Sequence, residues 1–355
     1  MTAPSLDPAA LRALPEPALD ARLRDFAREH GAEALPVLAA LAAEGADRAV
    51  RRAAKRALYR LSQRGVTAPP RPAPKPVVER QPERAARAWL SGIDGSGSRA
   101  AWILFEGGFG GTALCSLIVN DTVGIVDVAG GEITKKRLEA ELAALRASQK
   151  LPWVETEPAR AVGLVAEVLA LHRAQGTSPP AAFARWQRLF ESAAVAESPV
   201  LPTPDPALVE RSAGLLELPE MAGWFLEPEA VQADAVELLV ARESRLVVSD
   251  RIKAEREEAI VGRVIERELP PEARRRWARR LAEMALVFDA TARPEPAALA
   301  RAAAARLADA AAEVRRHPFA QGLARRALDV AGEVASGRVK AADVSQKVAH
   351  PSQPK

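Results

Sequence analysis

Cysteine is almost missing from this chain, with Cys115 the only one among 355 residues. No intrachain disulfide can form, and no Cys/His cluster can build a structural zinc site. His30, His172, His317 and His350 are scattered without a His-Glu-x-x-His or comparable spacing, so neither a metal nor another cofactor is expected. Long apolar runs are missing too. The stretch 161–171 is broken by Glu167 and falls short of the ~20 residues a bilayer requires, which predicts no membrane span. The opening MTAPSLDPAALRALPEP holds acids and prolines where an export signal needs a basic start and an unbroken apolar stretch. These absences predict a soluble, cytoplasmic protein.

Catalytic signatures are equally scarce. No Gly-x-Ser-x-Gly elbow occurs, and Cys115 falls between Leu114 and Leu117 in an apolar run, which predicts a buried, unreactive thiol. Gly95-Ser96-Gly97-Ser98 and Gly107-Gly108-Phe109-Gly110-Gly111 lack the Lys-Ser/Thr of a phosphate-binding loop and precede strand-like segments; they read as hairpin turns. Asp94 stands without the succession of oxygen ligands that calcium needs. Glu255, Glu257 and Glu258 lie among Arg251, Lys253 and Arg256, the pattern of a charged helix surface.

What is abundant is alanine and arginine, both good helix formers, against an aromatic content of 4%. The fold class read from this is mainly α. The net charge is +4, and it is unevenly placed: residues 1–90 hold sixteen Lys/Arg against ten Asp/Glu, leaving the remainder net negative. Leu19, Leu23 and Phe26 recur at helical spacing, with Gly31 as a stop. AEALPVLAALAAEG forms a second helix, and Asp47 caps a third that runs to Gly65. These last two are expected to pair antiparallel.

Leu35-Pro36 with Leu38 and Leu41, then Asp47, Val50-Arg51, Ala54, Ala57-Leu58 and Leu61, resemble one HEAT repeat, an armadillo-like helical pair, over residues 32–64. The resemblance implies a protein-binding helical surface. A solenoid repeat buries its apolar face only by stacking on neighbours, and no second repeat of equal quality follows. Helix 18–30 or another domain is expected to cover it.

The predicted layout is a HEAT-like module over 1–66, a proline-rich linker over 67–83, and an α+β domain over 84–196. In that domain RAWLSGI, AAWILFE, TALCSLIVN and VGIVDVA form four antiparallel strands, and Leu138, Leu142 and Leu145 mark a covering helix. A second proline-rich linker spans 197–206, a helical bundle or array 207–337, and a disordered tail 338–355.

The candidate binding residues lie on the third helix: Arg48, Arg52, Arg56, Arg60 and Arg64 recur every fourth position, with Arg51 and Lys55 beside them. Such a stripe can follow a phosphate backbone; it can equally be a solvated face offset by acids on a neighbouring helix. In Arg274-Arg275-Arg276-Trp277-Ala278-Arg279-Arg280, Trp277 shares helical spacing with Leu281 and Met284. Trp277 is therefore read as core and the arginines as exposed. A scaffold or adaptor acting without catalysis on a protein partner is the leading functional expectation, with nucleic-acid binding through the arginine stripe as the alternative. An enzyme with a site between the α+β unit and the helices is the second alternative, strengthened by a deep pocket joining Asp94 or Asp121 to Lys135-Lys136-Arg137 and weakened by a flat surface there.

Overall fold

Apolar side chains at helical spacing build the first part of the chain. The computed structural model describes residues 5–44, 47–66, 83–107, 111–148, 151–191, 193, 202–243 and 250–348, and the chain divides into two compact units, 1–79 and 80–355. In the first, α1 (Pro8–Arg12), α2 (Glu16–His30), α3 (Leu35–Glu44) and α4 (Arg48–Gln63) share one core. Leu19, Leu23 and Phe26 of α2 meet Leu38 of α3 and Val50, Ala54, Ala57 and Leu61 of α4. Methyl side chains at 53, 54 and 57 keep the buried face of α4 narrow, so α2 and α3 both pack on it. Asp47 caps α4 by accepting the Ala49 N–H at 2.7 Å. The linker expected over 67–83 lies outside the described residues except for Glu83.

The second unit opens with strands β1 (Arg84–Ser91), β2 (Ser98–Glu106), β3 (Thr112–Asn120) and β4 (Gly124–Glu132), followed by α5 (Lys135–Ser148), β5 (Trp153–Thr156), α6 (Pro158–Gln175) and α7 (Ala184–Glu191). The sheet is antiparallel throughout, in the order β4-β3-β2-β1-β5. The first four strands stand at the segments read as strands from the sequence; β5 is an addition, four residues long and paired only with β1. Strand alternation sorts the side chains into two faces. Trp89, Leu104 and Leu114 pack under Leu138 and Leu142 of α5. Leu90, Ile103, Cys115 and Leu117 face Val162, Val165 and Val168 of α6, with Trp186 and Phe190 of α7.

Helices α8 (Pro206–Glu210), α9 (Gln232–Glu243), α10 (Asp250–Glu268), α11 (Pro271–Ala290), α12 (Pro294–Ala308), α13 (Pro318–Ala335) and α14 (Ala341–Val344) complete the unit. Trp224, Trp277, Phe288 and Phe319 sit in its largest core, so Trp277 is buried as its spacing predicts. The sheet and these helices, expected as separate domains, fall in one compact unit. The turn between β1 and β2 makes the joint: Ile93 belongs to the helical core, and its carbonyl accepts the Trp224 indole N–H at 3.3 Å. A Cβ on Gly95 would lie 1.8 Å from the Gly223 carbonyl oxygen, so only glycine permits this approach. The glycines of DGSGS thus serve the joint as well as the turn.

Of the second expected linker, 202–206 is described, and Asp205 caps α8 by accepting the Ala207 N–H at 2.9 Å. Of the tail, 338–348 is described and holds α14, with the Gln346 N–H donating to Glu227 at 3.0 Å; 349–355 lies outside the described residues. Among the described residues no helix is long and apolar enough to cross a membrane.

Candidate functional site

The arginine stripe stands on the outer face of α4. Val50, Ala53, Ala54, Ala57 and Leu61 turn inward, and the 3.6-residue period leaves Arg48, Arg51, Arg52, Lys55, Arg60 and Arg64 exposed. Among the described residues no carboxylate pairs with any of these six. Arg56 differs from them. It is half-buried, and its guanidinium donates to Asp20 at 3.0 Å and Glu16 at 3.2 Å. The bond from Glu16 raises its pKa above the ordinary arginine value, burial opposes that, and Asp20 adds to it. The acid-offset reading therefore holds for Arg56 alone, which fastens α2 to α4.

Two further features of this face escaped the sequence reading. Arg24 and Arg28, one turn apart on α2, line a groove of about 230 Å³ together with Arg60 and Arg64 of α4. Among the described residues the one carboxylate within 4.0 Å of these four guanidiniums is Asp25, 3.9 Å from Arg28 and half exposed. Tyr59 is the second feature, 65% exposed between Lys55 and Arg60. The signal for Arg24 and Arg28 was their i,i+4 spacing, but only tertiary packing sets them opposite Arg60 and Arg64.

The second unit holds a denser charge cluster. Glu283 of α11 accepts from Arg99 at 2.7 Å, Arg160 at 2.8 Å and Arg279 at 3.1 Å, and Arg279 also reaches Glu167 at 3.0 Å. Burial would push the Glu283 carboxyl up, but Arg99, then Arg160 and Arg279, overcome it and hold the group down at about 2. Arg280 forks onto Asp121 at 2.6 and 2.7 Å and donates to the Gly95 carbonyl at 2.6 Å. These pairs tie α11 to the sheet. The expectation that the arginines of 274–280 are simply exposed is corrected here: Arg274 and Arg280 are buried, Arg274 donating to the Leu307 carbonyl at 3.1 Å. Of this run, Arg275 alone is fully exposed.

Asp121 borders a cleft of about 360 Å³ whose cations are Arg99 of β2 and four arginines of α11. Lys135, Lys136 and Arg137 are exposed at the start of α5 and take no part in it. Asp94 is occupied as a turn acceptor for Ser96 at 2.6 Å and the Ser98 N–H at 2.9 Å. The Glu255–Glu258 group is paired outward, Glu255 with Arg251 at 2.8 Å and Glu258 with Arg325 at 2.8 Å.

The histidines are engaged separately. His172 accepts the Ile125 N–H at Nε2, 2.9 Å, and meets Thr177 Oγ1 through Nδ1 at 2.8 Å. The backbone donor fixes the neutral Nδ1–H tautomer. His317 is buried against the Ala303 carbonyl at 3.3 Å, His30 rests on Phe26, and His350 lies outside the described residues. Among the described residues no three His, Cys, Asp or Glu side chains gather as a metal site would require. Burial pushes the Cys115 thiol up to about 12, where it is no nucleophile.

No protein-family model, curated protein or solved structure matches the chain.

Proposed function

We propose that this is a non-catalytic scaffold whose N-terminal helical unit binds a polyanionic macromolecule, with nucleic acid favoured over an acidic protein. One observation carries the reading: five cations stand exposed on a single sixteen-residue helix and a sixth, Arg64, at its C-cap, with no carboxylate pairing them among the described residues. Unpaired like charges repel one another across α4, a cost that an anionic partner removes. Such a row suits regularly spaced phosphates, whose neutralisation releases condensed counterions. Tyr59 supplies a flat apolar face among the cations, of the kind on which an unstacked base rests. The HEAT-like reading of 32–64 is supported by the packing of α3 on α4, by Pro36 in the first turn of one and by the Asp47 cap of the other.

The test is fluorescence anisotropy of the full chain with labelled duplex DNA and RNA at low salt. Arg48→Glu, Arg52→Glu and Arg60→Glu together are expected to weaken binding roughly a hundredfold, with the melting temperature unchanged because all three side chains are exposed. Arg56 is left intact, since it holds Asp20 and Glu16. Equal binding by parent and reversed chain sinks the nucleic-acid reading. A stoichiometric acidic protein that survives nuclease treatment, and is lost on the same reversal, transfers the face to a protein partner.

A further inference from the structure

The cleft at Asp121 lies between one stripe of α6 and one stripe of α11. From α6 come Leu164, Val168 and Leu171, at i, i+4 and i+7. Leu164 and Leu171 are only half-buried although both are large apolar side chains. From α11 come Arg275, Arg276, Arg279 and Arg280. Two of these arginines are committed, Arg279 to Glu283 and Glu167 and Arg280 to Asp121. Arg276 is held more loosely, by Glu272 one turn away at 4.0 Å, and no carboxylate pairs with Arg275 among the described residues. One wall is thus apolar, and the other ends in Arg275, unpaired among the described residues, and Arg276, held at 4.0 Å by Glu272, which also lines the cleft.

We propose that this cleft binds an anionic amphiphile, a small molecule with a single carboxylate or phosphate head on an aliphatic body. Its volume of about 360 Å³ falls at the lower end of the ~300–1,000 Å³ of small-molecule sites, which characteristically pair an apolar lining with a few placed polar groups. The aliphatic body covers Leu164 and Leu171, and the head takes the planar forks of Arg275 and Arg276, which match carboxylate and phosphate oxygens. The inner ion pairs hold the two walls apart: Arg160 of α6 and Arg279 of α11 share Glu283, and Arg279 also meets Glu167 of α6. The cleft therefore exists before ligand arrives.

Calorimetric titration of the full chain with octanoate, octyl phosphate, 1-octanol and inorganic phosphate tests this. Octanoate or octyl phosphate is expected to bind with one-to-one stoichiometry, at least about tenfold tighter than the neutral alcohol or the bare head group; which of the two is tighter names the head. Arg275→Glu with Arg276→Glu, and separately Leu164→Asp, are expected to weaken that binding by about tenfold or more. The Arg48/Arg52/Arg60 reversal on α4 leaves it unchanged, separating this site from the polyanion face. Melting temperatures identify any variant that fails to fold, and Arg275→Glu alone, at the exposed arginine, is the variant least subject to that. Equal binding of 1-octanol and octanoate, equal binding by the Arg275/Arg276 variant, or no binding of either amphiphile at millimolar concentration overturns the proposal.

Discussion

Glu283 and His317 make the folded chain sensitive to acid through opposite kinds of burial. Glu283 is ionised and surrounded by three guanidiniums, which hold it at about 2 against an ordinary value of 4.5. His317 is kept neutral by burial, its pKa lowered to about 4 from 6.5. Both groups bind fewer protons folded than unfolded, so unfolding takes up protons and stability falls as the pH falls. The His317 contribution is complete above pH 6.5 and is lost on the way to 4; that of Glu283 is complete above 4.5 and is lost on the way to 2. Each is worth on the order of 3 kcal/mol. Urea unfolding across this range is expected to show a continuous decline, and His317→Gln to flatten its upper half. An unfolding free energy level from pH 6.5 to 4 in the parent contradicts the assignment.

Elements were legible from sequence where their pattern is local. The fourfold arginine spacing of α4 and the period-two apolar runs of β1 to β4 depend on residues within one element. β5 was missed because it is four residues long and exists only by pairing with β1. The arginines of α11 were misread for the same reason: Asp121 lies 159 residues from Arg280, and Arg99 lies 184 from Glu283. A run of arginine does not state which of its members will cross to another element. Gly95 shows the same limit, since a turn explains it locally while Gly223 explains it fully. Gly95→Ala would drive a methyl into the Gly223 backbone, which cannot yield as a flexible side chain would. It is expected to cost about 3 kcal/mol through overpacking and the displaced Trp224 bond. Gly131→Ala, on the edge strand β4 with nothing within 4 Å of the added carbon, is expected to change stability by less than about 0.5 kcal/mol. Comparable melting temperatures for the two variants would remove the joint from the account.

At the scale of the whole molecule, charge is divided between two uses. In the second unit, arginines from β2, α6 and α11 are spent on Glu283, Glu167 and Asp121, binding sheet to helices. In the first, Arg56 alone of the stripe has such a role among the described residues, and the remainder are exposed. That contrast separates arginine used for packing from arginine left exposed, a distinction composition could not make. The salt dependence of duplex binding tests it most directly. If the α4 face tracks a phosphate backbone, the logarithm of the affinity of the full chain falls linearly with the logarithm of salt concentration, with a slope of roughly −3 to −5. A slope near zero, or no duplex binding at about 50 mM salt, contradicts the account.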